Sequence, residues 1–132
     1  MNEVLSRLPD LSINERLAVN KFMDNLQRDY SHAVFQVLIY GSSIRGERSP
    51  DSDIDLLIIT RDDNWRDHEP IRFLAARLSN EYDVFLSIRL MSLARFRNLQ
   101  TIQPFFFQNI QQEGLELIRL NNKPGLVEPH LG

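Results

Sequence analysis

The chain has 132 residues, 42% apolar and 25% charged, which suits one globular domain with its own hydrophobic core. Its 15 basic and 18 acidic residues leave a net charge of −3, which argues against direct nucleic-acid binding through a basic face. Cysteine is absent, so disulfides, thiolate metal centres and a cysteine nucleophile are excluded, and no apolar run nears the roughly 20 residues needed to span a bilayer.

Met1 to Arg7 has neither the basic start nor the apolar core of a secretory signal, so the expectation is a cytoplasmic protein. Ser12-Ile13-Asn14-Glu15 has the form of a capping box. Beyond it Val19, Phe22, Met23, Leu26 and Tyr30 recur at spacings of three and four, which predicts an amphipathic helix. Val34 to Tyr40 is a β-branched and aromatic run and reads as a buried strand. Ile54 to Thr60 reads as a second, and its consecutive Leu56, Leu57, Ile58 and Ile59 predict a strand covered on both faces.

Arg61 to Asn64 is a predicted turn, and Trp65 to Tyr82 a predicted helix that admits Pro70 in its first turns. Ile71, Phe73, Leu74, Ala75 and Leu78 are its expected core side. A third strand is predicted over Asp83 to Met91, a short helix over Leu93 to Leu99, and another helix over Pro104 to Gln112, stopped by Gly114. Leu115 to Leu120 reads as a last strand or a helical turn. Residues 1–120 form one expected domain and 121–132 a tail. The order of elements predicts an α/β (α+β) fold, a small mixed sheet flanked by helices.

The chemistry concentrates between the first two strands. Gly41-Ser42 closes the first strand, and ten residues (43 to 52) separate it from Asp53-Ile54-Asp55 at the start of the second. A turn whose amides face outward at a helix start suits a phosphate, with Gly41 allowing close approach and Ser42 adding a hydroxyl that can cap a short helix. Gly46 is the expected left-handed stop, and Arg45 either pairs with phosphate or braces the loop. Alternate side chains of a strand share a face, so Asp53 and Asp55 point the same way about 6.5 Å apart. Two hard carboxylates in that arrangement can hold Mg²⁺ together with substrate phosphates, in a two-metal arrangement. The bland reading is two solvated turn aspartates behind Pro50 and Asp51; the joint occurrence of strand, Gly-Ser, turn and Asp-x-Asp favours the nucleotide site.

These residues resemble the nucleotidyltransferase signature of the DNA polymerase β superfamily, in which Gly-Ser is followed after ten residues by Asp-x-Asp. Among its members the chain is similar to the minimal nucleotidyltransferases, which often partner HEPN-domain toxins. The specific motif covers Gly41 to Asp55, and the order of elements matches over about Val34 to Leu120. The resemblance implies transfer of a nucleoside monophosphate, AMP from ATP, onto a hydroxyl, with Gly41 and Ser42 on the triphosphate and Asp53 and Asp55 catalytic and metal-binding. It also implies an antitoxin whose acceptor is a tyrosine, serine or threonine of a HEPN-type ribonuclease toxin.

The family usually adds a third acid on a later strand. Counting back from Ser92 puts Ser87 at that position; a shifted register would put Asp83 there. Serine is not a general base at neutral pH without an activator, so two other functions stay open. One is a catalytically weak or inactive module that neutralises a partner by binding. The other is a small-molecule (antibiotic) nucleotidyltransferase. His32, His68 and His130 have no cluster spacing and read as solvated or capping, and Trp65 reads as a packing residue. Phe105-Phe106-Phe107 cannot all face one side of a helix, so part of that run is left for a partner surface.

Overall fold

The computed structural model describes residues 1–49 and 52–120, so the expected tail, with His130, lies outside the described residues, as do Pro50 and Asp51. The chain runs α1 (Glu3–Ser6), α2 (Ile13–Asp29), β1 (Val34–Tyr40), α3 (Ser42–Arg45), β2 (Ile54–Thr60) and α4 (Trp65–Tyr82). It continues through β3 (Leu86–Ser92), α5 (Leu93–Arg97), α6 (Leu99–Ile102), α7 (Pro104–Glu113) and β4 (Leu115–Arg119). The strands form one mixed sheet in the order β3-β2-β1-β4. β1 is antiparallel to β2 and β4, while β2 and β3 are parallel and joined through α4.

β2 is therefore interior, and its unbroken apolar run follows from that position. Ile54, Leu56 and Ile58 point to one face with Val37 and Ile39, packed by Phe22, Met23 and Leu26 of α2 and Ile71, Leu74 and Leu78 of α4. Leu57 and Ile59 point to the other, where Met91, Leu99 and Ile110 meet them with partly buried Phe96, Phe106 and Phe107. α2 starts as its sequence signals: the Ser12 hydroxyl accepts from the Glu15 amide, and the Glu15 carboxylate accepts from the Ser12 amide.

Several boundaries differ from expectation. β3 begins at Leu86, not Asp83, because Asp83 is the left-handed C-cap of α4 (φ 55°) and the Ser79 carbonyl accepts from both the Asp83 and Val84 amides. Residues 83–85 are thus the turn that brings the chain from helix to strand. Leu93 to Leu99 divides into α5 and α6 at Asn98, and Gly114 ends α7 in an extended conformation. The last segment resolves as a strand. α1 was not expected: the Asn2 side chain caps it, and its Leu5 is fully buried. Phe73 and Trp65 are exposed, so neither joins the core; the Trp65 ring carries the Arg66 guanidinium instead. No helix among the described residues is long and apolar enough to cross a membrane.

Candidate active site

Asp55 lies in β2 between two neighbours set by sheet register: Tyr40 on β1 and Ser87 on β3. Ile54, whose amide donates to the Phe85 carbonyl at 2.8 Å, is fully buried and fixes the strand from the opposite face. Asp53 immediately precedes β2 and is exposed, while Asp55 is half-buried. Burial pushes the Asp55 carboxyl upward, and the neighbouring Asp53 charge adds to the shift; Arg45, Arg48 and Arg89 pull against it. Burial, and then the Asp55 charge, also raise the Tyr40 phenol.

Gly41 is placed by Asp55. Its φ of +82° and ψ of −145° suit only glycine, and a Cβ there would run into the Asp55 carboxylate, with Cγ at 3.2 Å. The nearest reason for glycine is therefore the acid across the strand pair, before any phosphate is considered. Gly41 is itself the N-cap of α3, with no side-chain cap, so Ser42 starts the helix rather than capping it. Gly46 ends α3 in the left-handed conformation (φ 71°), as expected. Arg45 takes the bracing role, pairing with Glu113 at 3.0 Å and Glu47 at 3.3 Å.

The loop between the two halves of the motif is held by a residue that sequence reasoning missed. Arg48, only 9% exposed, donates to the Ser43 hydroxyl at 2.8 Å and the Asp53 carbonyl at 3.3 Å and pairs with Glu15 of α2. Glu15 therefore caps α2 with one carboxylate oxygen and anchors the loop with the other. The capping role was legible locally; the pairing joins positions too far apart in sequence to leave a local signal. Truncating one partner of so buried a pair leaves an uncompensated charge. Arg48→Met is expected to lower the unfolding free energy by about 3 kcal/mol in chemical denaturation, with partial recovery when Glu15→Gln is added.

On β3 the register Asp55↔Ser87 puts serine directly beside the acid, and Asp83 stands outside the strand at the helix cap. An open cleft of about 560 Å³ is lined by Asp53 and Ser87 and extends past Asn80, Asp83 and Phe85. No group of three or more His, Asp or Glu side chains able to hold a metal occurs among the described residues. Two carboxylates and no nitrogen ligand form a hard oxygen donor set, which fits a Mg²⁺ ion that completes its shell with phosphate and water. His68 contacts the Thr60 hydroxyl at 3.0 Å and His32 pairs with Asp67 at 3.2 Å, so both serve local structure. Of the three phenylalanines, Phe106 and Phe107 pack on the core while Phe105 is 81% exposed.

The sequence matches the family described as "Polymerase beta, Nucleotidyltransferase" over residues 20–123. The chain belongs to that family. Two curated relatives come from Methanocaldococcus jannaschii, and the name of each provisionally assigns it protein adenylyltransferase activity. The first is 28% identical over 102 residues (77% of this chain, 96% of the relative) and the second 23% identical over 100 residues (75% and 94%). Two solved structures share the fold at a TM-score of 0.50, each covering 76% of this chain and 72% of the other. One is a toxin–antitoxin complex with AMP-PNP (24% identity), the other a mutant of the toxin–antitoxin MntA–HepT (22% identity). The four-stranded mixed sheet flanked by helices is the fold of this nucleotidyltransferase family.

Proposed function

We propose that the protein is a Mg²⁺-dependent adenylyltransferase that moves AMP from ATP onto a hydroxyl of a protein partner. The observation that carries this reading is the meeting of the Gly41–Ser42 turn with Asp53 and Asp55 at the end of the sheet. Gly41 and Ser42 offer backbone and hydroxyl donors to the triphosphate, and Asp53 and Asp55 hold the metal. Mg²⁺, when bound, neutralises phosphate charge and polarises the phosphoryl group. The acceptor oxygen bonds to the α-phosphorus, the bond to the bridging oxygen of the β-phosphate breaks, and pyrophosphate leaves. The acceptor's proton passes to water or to a base brought by the partner, since Ser87 is no base of its own. The cleft past Ser87 and Phe85 gives an acceptor side chain access from solvent.

The names of the archaeal relatives support adenylyl transfer to protein. The toxin–antitoxin complexes of like fold support a toxin as the acceptor, and we assign the protein as a cytoplasmic antitoxin to a HEPN-type ribonuclease. A second reading is favoured by one residue. Ser87 beside Asp55 removes an acid from the site, which would suit a fold that neutralises its partner by binding alone.

Incubating the protein with a HEPN-type toxin, labelled ATP and Mg²⁺, and following mass, separates the two. A gain of AMP on the toxin is expected; tight association without label favours the binding module, and label on an aminoglycoside alone favours a small-molecule enzyme. Ser87→Asp is expected to raise the transfer rate about tenfold or more by supplying a base beside Asp55. Ser87→Asn, with similar volume and no charge, should leave the rate at the wild-type level, and equal rates for both variants would rule out a missing base.

A further inference from the structure

Three cations act on Asp55, and two are already committed. Arg45 is held by Glu113 and Glu47, and Arg48 by Glu15. Arg89 differs. It lies two residues past Ser87 on the same face of β3, about 6.6 Å further along the strand. It is exposed, makes no ion pair among the described residues, and its guanidinium sits 4.3 Å from the Phe106 ring centroid. Phe106 in turn meets the Tyr40 ring edge-on at 5.7 Å, and Tyr40 is the β1 neighbour of Asp55. The aromatic pair thus forms a seat that aims an unpaired guanidinium across the face that carries Asp55.

We infer that Arg89 is the phosphate-binding cation of the site, held by Phe106 and Tyr40 to take the triphosphate of the nucleotide. This rests on the nucleotide reading above. A planar guanidinium binds two phosphate oxygens at once, and stacking on a ring fixes its plane while leaving its N–H donors free. An exposed arginine that acts on Asp55 would be expected to pair with it, yet Arg89 makes no ion pair among the described residues and its guanidinium lies over the Phe106 ring. With Ser87 in place of an acid, this face of β3 presents a hydroxyl and a cation, which favours anion binding over a second carboxylate-held metal.

The test is calorimetric titration, without any acceptor, of wild type, Arg89→Ala, Arg89→Lys and Phe106→Leu. The probes are a non-hydrolysable ATP analogue with Mg²⁺, and AMP. Arg89→Ala is expected to weaken triphosphate binding about tenfold or more while leaving AMP binding unchanged. Arg89→Lys should keep part of that affinity, since charge remains and the fork is lost, and Phe106→Leu should fall between. A merely structural arginine would shift both ligands together or neither, and either pattern overturns the assignment. Wild-type protein that binds neither nucleotide would sink the nucleotide reading itself, a distinct outcome.

Discussion

On the proposed function, Asp55→Asn and Asp53→Asn are each expected to reduce Mg²⁺-dependent AMP transfer by about three orders of magnitude or more, because the charge that would hold the metal is worth several kcal/mol of transition-state stabilisation. The measurement is single-turnover labelling of the partner at saturating ATP. The two variants should separate in stability. Asp55 is half-buried with Asp53 at its side, and its carboxyl is raised. A raised carboxyl adds stability in its protonated form, which is present at acid pH and lost as pH rises through the raised value. At neutral pH its charge therefore costs stability, and Asp55→Asn should melt at or above the wild-type temperature while losing activity. The same comparison at acid pH should show a smaller difference. Full transfer by both variants would remove these acids from the site.

Gly41→Ala is expected to damage both the fold and the site. The residue sits in a glycine-only region of backbone space, which costs a side chain about 1–3 kcal/mol, and the added methyl would displace the Asp55 carboxylate. Transfer should fall to near the level of Asp55→Asn, with a lower melting temperature. Gly46→Ala is the matched control. Its conformation is left-handed but ordinary for a helix end, and the new Cβ would lie 3.2 Å from the flexible Asp10 carboxylate. That variant should lose about 1 kcal/mol of stability and retain transfer. If both alanines leave the transfer rate untouched, Gly41 does not position Asp55.

What could be read in the sequence was what repeats over short range. The capping box, the periodicity of α2, the apolar β1 and β2 runs and the Gly-Ser…Asp-x-Asp spacing each depend on residues a few positions apart. Asp83-Val84-Phe85 misled because a left-handed helix cap and a strand start are both extended-looking to a pattern of apolar residues. Phe73 misled for the opposite reason: its helical phase is near the core stripe, but no element among the described residues covers it. Arg48 on Glu15 and Arg89 on Phe106 join distant parts of the chain, and nothing local marks them. Gly41 was read as a place where the backbone approaches a phosphate, and in the structure the group that a Cβ there would meet is the Asp55 carboxylate.

Tyr40, Asp55 and Ser87 are adjacent in space but arrive in sequence on three strands, and the 18-residue helix α4 separates the last two. A hairpin-like pairing of β1 with β2 is a local event, whereas joining β3 to β2 waits for a helical crossover to form and dock. On the ribosome, a chain that has released the motif but not β3 carries its acids on an exposed strand edge, unfinished as a binding surface. The acidic motif thus precedes the site in time. If the site binds nucleotide as proposed, competence for it would come with the closing of the parallel pair.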